Sequence, residues 1–308
     1  MPSLPYPNVR LGRLTAVLEA AYGRQQRWSQ KPPMDQLLAT ILSQRTNYAD
    51  ERQAFNNLLE RFGDWAGVAA ARVEDIEAEI QTTRYPEVKA PRIKEILAFI
   101  IADRGACDLD HLYDLSVEEA DAYMRALPGV GPKTSTFVQL FSMRRPVLPV
   151  DTHVHRTTTR LGIIPAKTSQ AKAHVLLLEM IPRDAGEILN FHKLYFKLGQ
   201  RVCHYARPAC ERCPLNHDCD YARAHGRATQ RDAGAAVAKT EPTERSSSDP
   251  VPASDRGAAA AAKTTHATRK PLGRVDVGTR SPGTETGGTT EHGRRVARPA
   301  ATQADLFS

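Results

Sequence analysis

An all-α fold is predicted for most of this 308-residue chain by three observations: apolar residues recur at helical spacing, no stretch alternates like a strand, and polar caps precede the periodic segments. The spacing is plainest in Leu37, Leu38, Ile41 and Leu42, and again in Phe55, Leu58, Leu59 and Phe62. Further helical segments are expected around 11–22, 73–80, 89–103, 117–126, 133–143, 152–161, 168–180 and 184–200. Ser116 before Val-Glu-Glu-Ala and Thr168 before Ser-Gln-Ala-Lys are the expected caps of two of them. No repeat of solenoid length is present.

The helical pattern stops near residue 227. From Ala228 to Leu306 there is no Phe, Tyr, Trp, Ile or Met, so little apolar area offsets chain entropy, and a disordered tail is predicted over 228–308. What precedes it is long enough for one or two packed cores. The net charge of +7 suits a polyanionic partner but suits plain solubility equally, and the excess is spread thinly along the chain. No apolar run approaches the roughly 18 residues of a membrane span, and the N-terminus has no signal-peptide core, so a cytosolic protein is expected. Of the five cysteines, Cys107 stands alone and the others crowd into 203–219, which in a reducing compartment points to a metal site over disulfides.

Residues 127–135 read LPGVGPKTS between two amphipathic segments, the pattern of a helix–hairpin–helix. Gly129 and Gly131 are expected to permit positive φ and close backbone approach, and the helix start behind them aims free N–H groups outward. Such a turn can hold a DNA phosphate, and a phosphate grip positions a protein without reading sequence. Lys133 follows at the helix start, where the positive end of the helix dipole disfavours an ammonium ion. A neutral amine there can attack C1′ of a deoxyribose, expel the base and form a Schiff base that undergoes β-elimination; a second phosphate-binding lysine is the plainer alternative.

Eighteen residues on stands Pro149-Val150-Asp151-Thr152-His153, an apolar-to-acidic step into a new helix. Asp151 is a fair N-cap by itself. Opposite Lys133 its carboxylate could also take the amine's proton and stabilise cationic character on the sugar. His153 and His155 diverge on a helix and make no metal pair, so His153 is expected to orient the loop or meet a phosphate.

Cys203-x6-Cys210-x2-Cys213-x5-Cys219 supplies four soft ligands, suited to an iron–sulfur cube or to tetrahedral zinc. Zinc sites usually pair their ligands in two short loops, so the single Cys-x2-Cys between longer gaps favours [4Fe–4S]. His204 and Arg207 make the first gap basic, as a loop that meets a DNA backbone would be; a solvated charged loop is the alternative.

In order, the hairpin, the lysine at its end, the Val-Asp-Thr-His step and the cysteine spacing resemble the endonuclease III branch of the helix–hairpin–helix DNA glycosylases over roughly residues 10–222. The resemblance implies a six-helix barrel domain over 25–145 and a second helical domain, 1–24 with 146–222, carrying the cluster loop. It further implies a monomer that binds double-stranded DNA with damaged bases or abasic sites in the cleft between them, with a nucleotide flipped toward Lys133 and Asp151. The implied activity is that of a base-excision-repair glycosylase and abasic-site lyase acting on oxidised pyrimidines, with nucleoid association. Gln44 corresponds to the family's glutamine that enters the space left by the flipped base, and Tyr85 to a wedge residue. Three positions depart from the family pattern: Arg84 where glycine is common, Asn47 for a frequent Asp, and Arg125 for a frequent Glu. The alternatives are a monofunctional mismatch glycosylase, which generally lacks the lysine, and a noncatalytic helix–hairpin–helix DNA-binding protein.

The last residues, Gln303-Ala304-Asp305-Leu306-Phe307-Ser308, are similar to the short peptide by which bacterial repair proteins dock on the sliding clamp. In that pattern Gln303 makes polar contacts while Leu306 and Phe307 fill an apolar pocket. An accidental apolar end to a solvated tail is the alternative.

Overall fold

The computed structural model describes residues 5–228, and every regular element among them is helical. In chain order these are α1 (Val9–Tyr22), α2 (Pro33–Leu42), α3 (Tyr48–Phe62), α4 (Trp65–Ala70), α5 (Val73–Glu79) and α6 (Pro86–Arg104), then α7 (Val117–Ala126), α8 (Pro132–Phe141), α9 (Thr152–Arg160), α10 (Gln170–Glu179), α11 (Ala185–Arg201) and α12 (Asp220–Ala224). The predicted tail, and with it Gln303, Leu306 and Phe307, lies outside the described residues.

The helices begin where short polar side chains can accept their first N–H groups. Ser116 and Glu119 form a reciprocal capping box at α7. At α10 the structure corrects the expected cap: Ser169, not Thr168, accepts from Lys172 N, and Thr168 is buried with its carbonyl 2.8 Å from His155 Nε2. Because α10 begins at Gln170, the N-cap position falls on Ser169 and Thr168 precedes it.

Two apolar clusters form the core. One gathers Leu11, Leu14 and Leu18 of α1 with Val154 of α9 and Ile188, Phe191, Leu194 and Leu198 of α11. The other gathers Leu37, Leu38 and Ile41 of α2 with Leu58, Ile76, Ile93, Ile96, Leu97 and Met124. Helix α8 serves both, since Val138 packs into the second cluster while Phe137, Leu140 and Phe141 pack into the first. The helix that follows the hairpin, with Lys133 in its first turn, is therefore packed from two sides.

Candidate active site

The turn into α8 is built by Gly129 and Gly131, which have different tasks. Gly129 has φ +70°, and a Cβ there would run into the Arg92 guanidinium. Gly131 is extended, with φ −101°, and is the N-cap of α8, so the expectation of positive φ holds for Gly129 alone. A Cβ on Gly131 would meet nothing within 4 Å, which leaves its backbone open on the cavity side. Pro132 begins α8 at N1, where its missing N–H costs nothing, and Lys133 comes next.

Lys133, Asp151, Gly129, Gly131, His153 and Gln44 line one cavity of about 1200 Å³. Its walls also include Asn47, Tyr48, Glu51, Phe137, Gln170 and His174, none but Asn47 singled out by sequence. The Lys133 ammonium lies 4.6 Å from the centre of the Phe137 ring. Its pKa is lowered from 10.5 first by burial, against which Asp151 and Glu51 pull upward. The lowering thus has a different main cause from the expected helix dipole: desolvation dominates.

Asp151 caps α9, accepting from Val154 N at 2.8 Å. The peptides before it are held by three side chains. His174 Nδ1 donates to the Leu148 carbonyl at 2.8 Å, His192 Nδ1 to that of Pro149 at 2.9 Å, and Gln170 Nε2 to that of Val150 at 2.6 Å. Burial pushes His192 down to about 4, so it stays neutral and serves as a fixed donor. The carboxylate is therefore placed by α10 and α11 as well as by its own helix. His153 and His155 diverge as expected. The His153 ring accepts from Arg156 Nη2 at 3.2 Å and lines the cavity, whereas His155 turns to Thr168.

Gln44 is exposed just past α2, where the chain turns through Arg45 at φ 56°. Tyr85 does not line the cavity. It is 48% exposed, has φ 61° and caps α6, and its ring lies 6.0 Å from the Arg45 guanidinium. Two non-glycine residues thus hold left-handed backbone side by side, a strained arrangement of a kind that concentrates at functional sites. Lys89 braces both loops, donating to the Leu42 carbonyl at 2.6 Å and to Thr46 Oγ1 at 2.8 Å, and Thr46 Oγ1 also accepts from Arg84 N. Asn47 caps α3 by accepting from Asp50 N at 3.0 Å, a task Asn performs as well as Asp. Arg125 is exposed, pairs with Asp121 on its own helix and is absent from the cavity wall.

Cys203, Cys210, Cys213 and Cys219 line a second, small cavity with Arg160, Val202, Pro208, Asn216, Tyr221 and Ala222. Burial, aggravated by the other three thiols, pushes Cys213 up to about 12. Burial and the neighbouring thiols raise Cys219 as well, and four soft donors around one small cavity fit a cluster with a cationic core, which would relieve that opposition. Among the described residues no three His, Cys, Asp or Glu side chains are close enough to hold a single metal ion. Arg160, missed in the sequence, clamps the loop: it donates to Cys203 Sγ at 3.4 Å and to the carbonyls of His204 and Tyr205 at 2.6 and 2.7 Å. The side chains of His204 and Arg207 are exposed and line neither cavity, so they are separate from the lysine site.

Comparison with known proteins agrees with this geometry. Residues 38–183 match the model of the HhH-GPD superfamily of base excision DNA repair proteins. The chain is 32% identical to endonuclease III of Thermotoga maritima over 200 residues, 65% of this chain and 88% of that protein. It is 35% identical over 157 residues to a putative DNA glycosylase of Arabidopsis thaliana, At3g47830, spanning 51% of this chain and 54% of the plant protein. Among solved structures, a trapped endonuclease III–DNA covalent intermediate superposes with a TM-score of 0.60 at 24% identity, over 71% of this chain and 98% of that one, which shows the shared fold. The chain belongs to the endonuclease III family of base excision repair DNA glycosylases.

Proposed function

We propose that this protein excises oxidised pyrimidines from double-stranded DNA and then cleaves the abasic strand through a Schiff base on Lys133. The observation that carries the reading is a lysine held toward its neutral form by burial, in one cavity with a hydrogen-bonded carboxylate and the glycines of a hairpin whose turn can hold a phosphate. The neutral Nζ attacks C1′ of the flipped nucleotide, the C1′–N bond breaks and the base leaves with its electron pair. Asp151 accepts a proton from Nζ and stabilises the cationic sugar. Ring opening yields the protonated imine, a C2′ proton is lost, and the 3′ phosphate departs by β-elimination. Gln44 occupies the space the nucleotide vacates and Tyr85 wedges the duplex, while His204 and Arg207 meet the backbone.

Cys203, Cys210, Cys213 and Cys219 would hold a [4Fe–4S] cluster, which would tie the loop between α11 and α12 into one rigid unit. The terminal segment from Gln303 through Leu306 and Phe307 is proposed to dock on a sliding clamp. The protein acts as a monomer in the nucleoid.

Borohydride should trap the protein covalently on abasic or thymine-glycol DNA. Lys133→Ala should abolish trapping while binding persists, and Asp151→Asn should bind but turn over slowly. Base release without trapping by the wild type would instead identify a monofunctional glycosylase, and binding with neither would identify a noncatalytic DNA-binding protein.

A further inference from the structure

Tyr48 and Glu51 lie three residues apart in the first turn of α3, so their side chains leave the helix on one face, and both line the cavity that holds Lys133 and Asp151. Glu51 is only 1% exposed, and its Oε2 has no hydrogen-bond partner; the Tyr48 hydroxyl is likewise buried without one. A protein leaves two such atoms unmatched in one wall only at the full cost of their desolvation. The nearby lysines do not make up the deficit. Lys89 gives its protons to Leu42 and Thr46, while the Lys31 and Lys133 ammonium groups lie 3.9 and 4.6 Å from the ring centres of Phe55 and Phe137. Neither Tyr48 nor Glu51 has a part in the Schiff-base steps.

We propose that Glu51 and Tyr48 read the extruded base, Glu51 accepting an N–H from its Watson–Crick edge and the Tyr48 hydroxyl donating to the acceptor beside that N–H. Pyrimidines present this pair in two forms: N3–H beside a carbonyl in uracil-type rings, and N4–H beside N3 in cytosine-type rings. Burial raises Glu51 to about 7, with Lys31, Lys133 and Lys89 acting against it, so its carboxyl is poised to ionise when an N–H donor arrives. A site whose polar atoms are matched only by the correct ligand discriminates strongly against analogues that lack the donor. The inference rests on the base-excision reading above and assigns the residues that choose the base.

The test compares base release from duplexes carrying 5,6-dihydrouracil or its N3-methyl derivative, and 5-hydroxycytosine or its N4,N4-dimethyl derivative, with borohydride trapping on an abasic duplex run alongside. In the wild type, loss of the donor should lower kcat/KM roughly tenfold to a hundredfold in at least one pair, and the pair affected identifies the ring type. Glu51→Met, which keeps volume and removes the acceptor, should shrink that discrimination to about threefold or less, and Glu51→Gln, which keeps a carbonyl acceptor, should restore part of it. Tyr48→Phe should reduce it as well, and the wild-type comparison needs no variant to fold. Undiminished discrimination in Glu51→Met, or none in the wild type, overturns the proposal while the lyase reading stands. Trapping without release of any pyrimidine removes the pyrimidine substrate class and this proposal together.

Discussion

The side-chain amide of Gln170 donates to the carbonyl oxygen of Val150 at 2.6 Å, so α10 holds the peptide that leads into Asp151. Because Asp151 already gives one oxygen to the N–H of Val154, its remaining lone pairs depend on that backbone being still. Gln170→Leu should therefore lower the single-turnover rate by about tenfold, since small misplacements of a reacting group are costly, while affinity for DNA changes little. Equal rates would show that the Gln170 bond is dispensable and that His174, His192 and the α9 cap suffice to place the carboxylate.

Lys133 should make the fold less stable at neutral pH. Its folded pKa lies below its ordinary 10.5, so between those values the unfolded chain binds more proton, and below both the penalty stands at its full value. This penalty is present at pH 7 and disappears as pH rises past 10.5. Lys133→Met should raise Tm at pH 7 by about 2–4 °C, as a gain of ~1 kcal/mol would in a domain of this size, while abolishing trapping. Thermal unfolding at pH 7 and at pH 10 checks the sign: the difference between variant and wild type should narrow at the higher pH.

Purified protein should be yellow-brown, absorb broadly at about 400 nm and contain about four irons per chain. Cys210, only 8% exposed in the cysteine-lined cavity, should be indispensable to that colour. Cys210→Ser should bleach the band and lower Tm. Colourless wild-type protein with one zinc would reject the iron–sulfur assignment.

Arg207, exposed in the loop that Arg160 clamps, should contribute to DNA affinity without regard to sequence. Arg207→Ala should weaken binding to all duplexes alike and reduce the slope of log affinity against log salt by about one. A loss confined to one lesion would place Arg207 at the base pocket instead.

A peptide covering residues 299–308 should bind the sliding clamp with micromolar affinity at best, having two apolar anchors and an ordering cost. Leu306→Ala with Phe307→Ala should abolish binding and leave base excision from oligonucleotides intact. Absence of binding at hundreds of micromolar would end the clamp reading.

The amino-acid sequence determined by itself what depends on local order along the chain. Helical periodicity is a property of neighbouring residues, and so are the LPGVGPK turn, the acidic step at Asp151 and the spacing of Cys203, Cys210, Cys213 and Cys219. Gln44 and Tyr85 were legible only through family resemblance, and the structure sets Tyr85 outside the cavity. Tertiary structure alone decided why Lys133 leans toward the neutral amine, because desolvation depends on which side chains close over it rather than on its place in a helix. It alone brought Gln170, His174 and His192 to the peptides before Asp151, across twenty or more residues of chain. It also turned Glu51 and Tyr48 inward: on α3 they read as part of an ordinary polar first turn, and only the packing of that helix against the cavity leaves their buried atoms without partners.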